Sequence, residues 1–495
     1  MRGNVTPRAG LVALVLATGC GPGWLEVDEG PGLRGPGGPE VSFAEDQLFE
    51  GCAWLTGGED DYDHHNLVMP YRGHLVMPWM PEWGSGGLTF FDVSDPCNPQ
   101  KDGEGTWETT RETHAMAFLH LPEDAEFAGE YAVTNGLKGV VTWDVSDPAD
   151  PHVVGELEVD EIFYLFDAYA RVALSLAWQH PTLYIAAADN GLYVVDTTDP
   201  ANMVVVEQVQ LDPPIRAGGV FTLGNRLLLT SAEQEEAVVF DISDPHDPQP
   251  VLGGRFTTTD ADGEPREHYH ANLYGHTALF ARKERGGGVL MMDLTDPSKP
   301  TRIGEAWTGE GGGGYVFGDE GFLFLGNSDF GVIFDARDPT DPVEVGRMAI
   351  EGDNDTLTPY GNIALLAVDG EANHEQSTAV VPWRTDPDTA APLVLAVDPL
   401  DGAEDVALTA RVGVGFNEIV EPGTVFMGSV RLSTERGRAV PGFVSAQEGI
   451  VTYVPHEPLD PGTTYVLEVL AGGVSDVNGN ALEANFSSRF STVGE

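Results

Sequence analysis

A short motif centred on Asp-Pro recurs along the chain and constrains the fold more than any other feature. Full copies begin at Asp92, Asp144, Asp196, Asp241, Asp293 and Asp335, and a degenerate copy covers 383–387. Consecutive copies lie 42 to 52 residues apart, which is the length of a four-stranded propeller blade and too long for a leucine-rich repeat. The repeat therefore predicts an all-β fold with about seven propeller blades.

Each copy of the motif follows an apolar run, such as 191–196, and is often followed by another, such as 153–157. The Asp-Pro segment is therefore predicted to be a turn between antiparallel strands, with the Asp and Ser or Thr side chains bonded to nearby backbone N–H groups. The functional alternative is a calcium site made of paired aspartates. The fixed Pro and the short spacing leave few further oxygen ligands for it.

The two ends of the repeat region are predicted to close the ring. The last unit lacks its fourth strand, because residues after Pro387 already enter the next domain, and the segment 47–54 before the first unit has the right length to supply it. Closure of this kind removes an exposed sheet edge.

Residues 45–390 resemble the LVIVD family of bacterial surface propellers, which is named for a strand like 192–196 leading into an Asp-Pro turn. The resemblance implies an exported β-propeller and implies no particular reaction.

Residues 391–495 show a different pattern. Short alternating runs such as 412–416, 451–455 and 465–470 are separated by turn residues, and about seven strands in ~100 residues predict a β-sandwich. With 459–465 and 476–480 near its end, the segment resembles the bacterial Ig-like domain first associated with S-layer proteins. That resemblance implies a spacer, a stalk or an adhesive module.

The N-terminus carries an export signal. Basic Arg2 and Arg8 precede the apolar run 11–17, and small residues precede Cys20, so residues 1–19 are predicted to be a signal peptide. The stretch 16–20 resembles a bacterial lipobox, which implies lipidation of Cys20 and a membrane anchor.

Residues 20–44, rich in Gly, Pro and Glu, are predicted to form a flexible tether. Because Gly21 and not Asp follows the anchor, the outer membrane or cell surface is the expected location. No other stretch reaches the ~20 apolar residues of a spanning helix.

The charge limits the classes of possible binding partners, and the cysteine content bears on disulfide formation. With 25 basic and 79 acidic residues the net charge is −54. This charge excludes nucleic acid as a partner, because the negative phosphate backbone and the negative protein would repel each other. The acidity has two interpretations, a solvated surface or binding of divalent cations. Cys52 and Cys97 are either a disulfide pair formed in an oxidising compartment or small buried residues.

Histidines recur where the first strand of a blade is expected to begin, at His64, His65, His114, His268 and His270. First strands line the propeller channel, and neutral imidazoles suit Zn, Cu, Fe or Ni. One hypothesis is therefore a divalent metal ion bound by His65, His114 and His270. The other is that they are polar residues facing a water-filled channel, since the third, fourth and sixth units carry Asp167, Arg216 and Gly313 instead.

Two functional hypotheses remain from the sequence. The leading one is an exported, lipid-anchored, non-enzymatic scaffold that binds a surface protein or a carbohydrate, with the Ig-like domain as stalk or adhesion module. Trp79, Trp83, Trp107, Trp143 and Trp178 are either sugar-stacking platforms or packing between blades. The alternative is a metal-dependent hydrolase or oxidoreductase at the channel mouth. Nucleophile-elbow, phosphate-loop and His-Glu-x-x-His motifs are absent from the sequence.

Overall fold

A computed structural model describes residues 38–58, 67–80, 85–122, 125–162, 171–369 and 378–494. Within these ranges the regular structure is β-strand together with short 3₁₀ helices such as Glu45–Gln47 and Pro422–Thr424. None of the helices in this described part is long and apolar enough to cross a bilayer. The all-β prediction is confirmed.

Seven four-stranded antiparallel sheets of the described chain form the blades of a β-propeller. A single strand, β1 (Ala53–Leu55), precedes the first blade. The first blade contains β2 (Met69–Tyr71), β3 (His74–Trp79), β4 (Gly86–Asp92) and β5 (Gln100–Trp107). The second contains β6 (Ala117–Leu121), β7 (Gly129–Gly136), β8 (Gly139–Asp144) and β9 (His152–Glu158). The third contains β10 (Ser175–Gln179), β11 (Thr182–Ala186), β12 (Leu192–Asp196) and β13 (Val204–Val209).

The fourth blade contains β14 (Ala217–Leu223), β15 (Arg226–Ser231), β16 (Glu236–Asp241) and β17 (Gln249–Thr257). The fifth contains β18 (His268–Tyr274), β19 (Thr277–Arg282), β20 (Val289–Asp293) and β21 (Thr301–Ala306). The sixth contains β22 (Val316–Asp319), β23 (Phe322–Gly326), β24 (Gly331–Asp335) and β25 (Val343–Met348). The seventh blade contains β26 (Asp353–Tyr360), β27 (Ile363–Asp369) and β28 (Thr378–Pro382).

The N-terminal strand β1 completes the seventh blade as its outermost strand. Ala53 pairs with Val380 in β28, and the Cys52 N–H donates to the Val380 carbonyl at 2.9 Å. The predicted closure of the ring by its two chain ends is therefore confirmed. One apolar core runs through blades six, seven, one and two across this junction.

The Asp-Pro motif forms the turn between the third and fourth strands of a blade. In all six full copies the first Asp accepts a hydrogen bond from the backbone N–H two residues later, as from Ser94 to Asp92 at 2.8 Å. In five copies the second Asp does the same, as from Ala149 to Asp147 at 3.0 Å. The turn interpretation is confirmed, and these carboxylates are occupied by local bonds.

Two further sheets form the Ig-like sandwich. Their strands are β29 (Val394–Asp398), β30 (Ala403–Val406), β31 (Val412–Phe416), β32 (Val430–Thr434), β33 (Gly442–Gln447), β34 (Ile450–Pro455), β35 (Thr464–Val469) and β36 (Phe486–Thr492). The sheet orders are β29-β31-β34-β33 and β30-β36-β35-β32. Inward-facing residues such as Val414, Leu432, Tyr453 and Leu467 form its core.

The Ig-like sandwich packs directly on the propeller. The guanidinium of Arg411 donates to the Tyr184 hydroxyl at 2.8 Å and to the Thr182 hydroxyl at 2.9 Å. Arg226 forms an ion pair of 2.8 Å with the buried Asp398. These buried polar contacts hold the Ig-like domain against the propeller.

Two glycines of β31 make the close approach of the domains possible. A Cβ atom on Gly413 would lie 2.2 Å from the backbone nitrogen of Gly224, and one on Gly415 would lie 3.0 Å from Cα of Gly275. Gly224 and Gly275 are in turns between first and second strands of blades. We call the face that carries these turns the Ig-side face, and the other, where the first strands begin, the opposite face.

Candidate functional site

The tip of the β33–β34 hairpin enters the propeller channel from the Ig-side face. The Gln447 side chain accepts from the backbone N–H of Trp178 and donates to the carbonyl of Leu176, both at 2.9 Å. Next to it, Asn272 donates to the carboxylate of Glu448 at 2.8 Å. Leu176, Trp178 and Asn272 all belong to first strands, so the hairpin closes this end of the channel.

The opposite end of the channel carries the predicted histidines. His114 lies three residues before β6, His270 is the third residue of β18, and Tyr315 directly precedes β22. Since all first strands run in the same direction, their starting residues converge on one mouth. We call Glu112, His114, Tyr269, His270 and Tyr315 the channel-mouth cluster.

His114 is the centre of this cluster. Its Nδ1 lies 2.9 Å from the Tyr315 hydroxyl, and its Nε2 lies 3.4 Å from a carboxylate oxygen of Glu112. Glu112, His114 and Tyr315 are all buried. A carboxylate on one side and a phenol on the other fix the orientation of the imidazole, an arrangement that recurs around histidines with a chemical role.

His270 is stacked between aromatic rings. Its ring centroid lies 3.6 Å from that of Tyr315 at an interplanar angle of 15°, and 4.2 Å from that of Tyr269 in an edge-on contact. Burial holds the pKa of His270 well below its usual value, and the nearby His114 and Lys283 lower it further. His270 is therefore a neutral imidazole at physiological pH.

The rings of His114 and His270 are 5.7 Å apart and only 26° from parallel. Each imidazole lone pair lies in the plane of its own ring, so two nearly parallel, separated rings do not point at one ion without a rotation. The third predicted ligand, His65, lies outside the described residues, as does His64. The three-histidine metal centre stays a prediction.

His268 has a different environment from His270, although both are in β18. Its Nε2 lies 3.3 Å from the Ser231 hydroxyl and its Nδ1 lies 3.3 Å from the Thr258 hydroxyl. Burial lowers the pKa of His268 to about 3. This side chain is a satisfied polar group between the fourth and fifth blades.

A small cavity connects the channel-mouth cluster with the hairpin tip. His114, His270, Tyr315, Asn272 and Glu448 contribute to its walls, and its volume is about 30 Å³. This is room for roughly two water molecules, at ~10–15 Å³ each. A metabolite-sized ligand does not fit in it.

The tryptophans of the blades are largely packing residues. Trp79, Trp143 and Trp178 are buried, and their indole N–H groups donate to the hydroxyls of Thr89, Thr134 and Thr197 at 2.8 to 3.0 Å. As placed, these three rings offer no free face for sugar stacking. Trp83 lies outside the described residues.

Of the two alternatives for Cys52 and Cys97, the structure shows the disulfide. A disulfide links Cys52, next to β1, to Cys97 in the first Asp-Pro turn. It ties the strand that closes the ring to the first blade. The predicted lipidation site Cys20 lies outside the described residues.

Sequence reasoning missed a group of carboxylates between the two domains. One oxygen from each of Asp388, Glu418 and Asp476 lies within 4.8 Å of the other two. The residues are spread over ~90 positions in a chain full of acids, so no spacing distinguished them. The loop 476–480 was visible in the sequence only as part of the Ig-like resemblance.

Fold and site together define a class of protein: a seven-bladed β-propeller whose channel is closed at one end by an Ig-like sandwich. The LVIVD repeat model matches residues 183–210, and the model described as a bacterial Ig-like domain matches residues 388–492. The chain therefore has an LVIVD-repeat propeller and a C-terminal bacterial Ig-like domain. A search of curated proteins gives no match.

Solved structures with similar folds are distant from this chain. PorZ, a surface component of the type-IX secretion system of Porphyromonas gingivalis, is 10% identical with a TM-score of 0.46, over 89% of this chain and 60% of PorZ. The periplasmic gluconolactonase PpgL of Pseudomonas aeruginosa is 13% identical with a TM-score of 0.45, over 66% of this chain and 98% of PpgL. The computationally designed Ika8 protein is 12% identical with a TM-score of 0.42, over 74% of this chain and 96% of Ika8.

Proposed function

We propose that this protein is an exported, lipid-anchored surface scaffold whose propeller binds a protein or carbohydrate partner at its opposite face. One observation carries the proposal. The turn at Glu448 enters the channel from the Ig-side face, and among the described residues the cavity between it and the channel-mouth cluster is about 30 Å³. We therefore place the partner on the opposite face and not inside the channel.

The side chains at the opposite face suit recognition of a partner surface. Lys283 is exposed, and its ammonium lies 4.5 Å from the ring centroid of Tyr269. An amphipathic aromatic ring with a cation beside it is common at protein and carbohydrate binding sites. Tyr269 lies between Lys283 and His270 and contacts both of them.

Site-specific cross-linking on intact cells tests the binding face. A photoreactive phenylalanine analogue replaces Lys283, and the matched control replaces Lys299, which is exposed in an Asp-Pro turn on the Ig-side face. We expect one discrete adduct from position 283 and none from position 299. Equal labelling from both positions, or none from either, contradicts a partner at the opposite face.

The anchor has its own test. Mass spectrometry of the purified full chain should find an N-terminal peptide that begins at a diacylglyceryl-modified Cys20, and the protein should partition into the detergent phase. The Cys20→Ala variant should remain in the aqueous phase. A wild-type chain with an unmodified Cys20 contradicts lipid anchoring.

The second candidate is a metal-dependent hydrolase or oxidoreductase at the same mouth. The observation in its favour is that His114 and His270 lie 5.7 Å apart at the channel mouth, with a carboxylate oxygen of Glu112 3.4 Å from Nε2 of His114 as a further donor atom. Metal content by inductively coupled plasma mass spectrometry distinguishes the candidates. About one transition metal per chain, lost when His65, His114 and His270 are all changed to Ala, favours the enzyme. A metal content equal in both proteins favours the scaffold.

A further inference from the structure

The carboxylates between the domains come from three separate parts of the chain. Asp319 ends β22 in the sixth blade, Asp388 lies in the linker, and Glu418 and Asp476 belong to the Ig-like domain. We call these four residues the interdomain carboxylate cluster. The side chain of Asp388 is only 5% exposed, and the other three residues are buried.

The charge of this cluster is poorly compensated. Arg384 contacts Asp388 at 3.2 Å, but the same guanidinium is also shared with Glu320 at 2.5 Å. Within the described chain no Arg, Lys or His nitrogen lies within 4 Å of a carboxylate oxygen of Asp319, Glu418 or Asp476. A buried carboxylate without a partner is costly, because its hydration is lost.

Burial and mutual repulsion have the expected effect on these acids. Burial, followed by the charge of Glu320, raises the pKa of Asp319 to about 8. Burial also raises the pKa of Glu418, and the charges of Asp319 and Asp476 add to the rise. Burial raises the pKa of Asp476 too, although the hydrogen bonds from Asn480 oppose this rise.

A second observation points to a ligand at the same place. The Glu418 side chain is buried, and its Oε1 is shut off from solvent and accepts no hydrogen bond from an N–H group of the described residues. The carboxyls of Glu418 and Asp476 are close enough to hydrogen-bond each other, but only while one of them carries a proton. The Asp476 carboxylate, by contrast, accepts from the N–H of Asn478 at 2.9 Å and from the N–H of Asn480 at 2.8 Å. Buried carboxylate oxygens rarely stay unpaired, and a bound cation would give Glu418 Oε1 its partner.

We propose that Asp388, Glu418 and Asp476, with Asp319 beside them, bind one Ca²⁺ ion that joins the propeller, the linker and the Ig-like domain. Each of the three residues offers a carboxylate oxygen, a donor atom that favours a hard cation over Zn or Cu. Ca²⁺ accepts an irregular set of protein oxygens, whereas Mg²⁺ demands near-octahedral geometry and usually keeps several waters. The site is independent of the channel-mouth cluster and of the partner proposed for it.

Calorimetric titration of the purified full chain with CaCl₂ after treatment with EDTA tests the proposal. We expect binding of one ion per chain and a rise in the unfolding temperature in Ca²⁺. Glu418→Gln and, separately, Asp388→Asn should each weaken Ca²⁺ binding at least tenfold and remove the rise. Asp296→Asn, in an exposed Asp-Pro turn, is the matched control and should bind like wild type.

Three results would overturn the proposal. The first is an unfolding temperature of the wild type that is the same in EDTA and in Ca²⁺. The second is equal Ca²⁺ binding by wild type and both cluster variants. The third is a response to Mg²⁺ as large as that to Ca²⁺ at the same concentration, which would remove the assignment to calcium. If Glu418→Gln does not fold, Asp388→Asn alone decides.

Discussion

Asn272, on the innermost strand of the fifth blade, donates a hydrogen bond of 2.8 Å to Glu448 at the hairpin turn of the Ig-like domain. The two residues are 176 positions apart in the chain. Their contact places an acidic side chain of one domain inside the channel of the other. The propeller and the Ig-like domain are thereby coupled at the axis of the ring, so stability at this contact reports on both domains.

We expect Glu448→Gln to stabilise the protein at pH 8 and to have no effect near pH 4. Burial raises the pKa of Glu448, with the Asn272 bond opposing the rise. When the pKa of a carboxyl is higher in the folded protein than in the unfolded protein, its contribution to stability is fully present at a pH below the unfolded pKa. This contribution is lost as the pH rises through the folded pKa. Gln keeps the acceptor oxygen without the charge.

Urea unfolding at the two pH values measures this effect. Glu435→Gln, a change at an exposed carboxyl, is the control and should alter the free energy of unfolding by less than about 0.5 kcal/mol at both. A Glu448→Gln variant less stable than wild type at pH 8 would show that the charge itself holds the hairpin.

Gly413→Ala should destabilise the protein by about 1–3 kcal/mol, the usual cost of overpacking. The added methyl would lie 2.2 Å from the Gly224 nitrogen, so β31 has to move away from the propeller. Gly494→Ala is the matched control, because a Cβ there meets nothing within 4 Å. Thermal unfolding compares the two variants, and equal unfolding temperatures would contradict the close packing of β31 on the propeller.

Loss of the Cys52–Cys97 bond should lower the free energy of unfolding by about 4 kcal/mol, the value expected from the entropy of a loop of this length. The sequence separation is 45 residues, and the bond holds β1 in the last blade next to the first. The double variant Cys52→Ala, Cys97→Ala and the wild type under reducing conditions should lose equal stability in urea unfolding. If reduction leaves the midpoint unchanged, the ring closes without help from this bond.

The propeller could be predicted from sequence because its signal is local. The bond from Ser94 N–H to Asp92 spans two residues and recurs in every full copy of the motif, so the turn is encoded by the residues that form it. The closing strand β1 could be predicted from the number of strands in each unit, because a last unit with only three strands needs a fourth from elsewhere in the chain. Both predictions depend on short segments and on repetition.

The contact between the two domains has no comparable local pattern in the sequence and could not be predicted from it. Arg411 is buried against Tyr184, 227 residues earlier in the chain, yet in the sequence it resembles any surface arginine. The two glycines of β31 were seen as part of an alternating strand, and their role depends on turns of two separate blades. Contacts between distant surfaces depend on both shapes, which a single sequence does not reveal.

The histidine pattern lies between these cases. The rule that first strands begin at one channel mouth was enough to expect His114 and His270 near each other, and their ring centroids are 5.7 Å apart. The orientation of the two rings depends on Tyr315, which stacks on His270 and bonds to His114. Tyr315 belongs to another blade and carried no motif, so the geometry of the cluster could not be predicted.

The last prediction concerns acid sensitivity at the contact between His180 and Phe443, whose ring centroids are 4.6 Å apart across the domain interface. Burial lowers the pKa of His180 to about 4, with Asp196 opposing and His456 reinforcing the shift. A histidine with a lowered folded-state pKa stabilises the fold above its unfolded pKa of about 6.5. That contribution is lost as pH falls from there to about 4.

Urea unfolding of wild type and His180→Gln between pH 7 and pH 4 isolates this residue. One proton taken up on unfolding gives a slope of about 1.4 kcal/mol per pH unit, so the slope of the variant should be smaller by up to that amount. His246→Gln, in an exposed Asp-Pro turn, is the matched control and should keep the wild-type slope. If His180→Gln and His246→Gln have the same slope, the imidazole of His180 takes up its proton in the folded protein, and the interface with Phe443 is open to water.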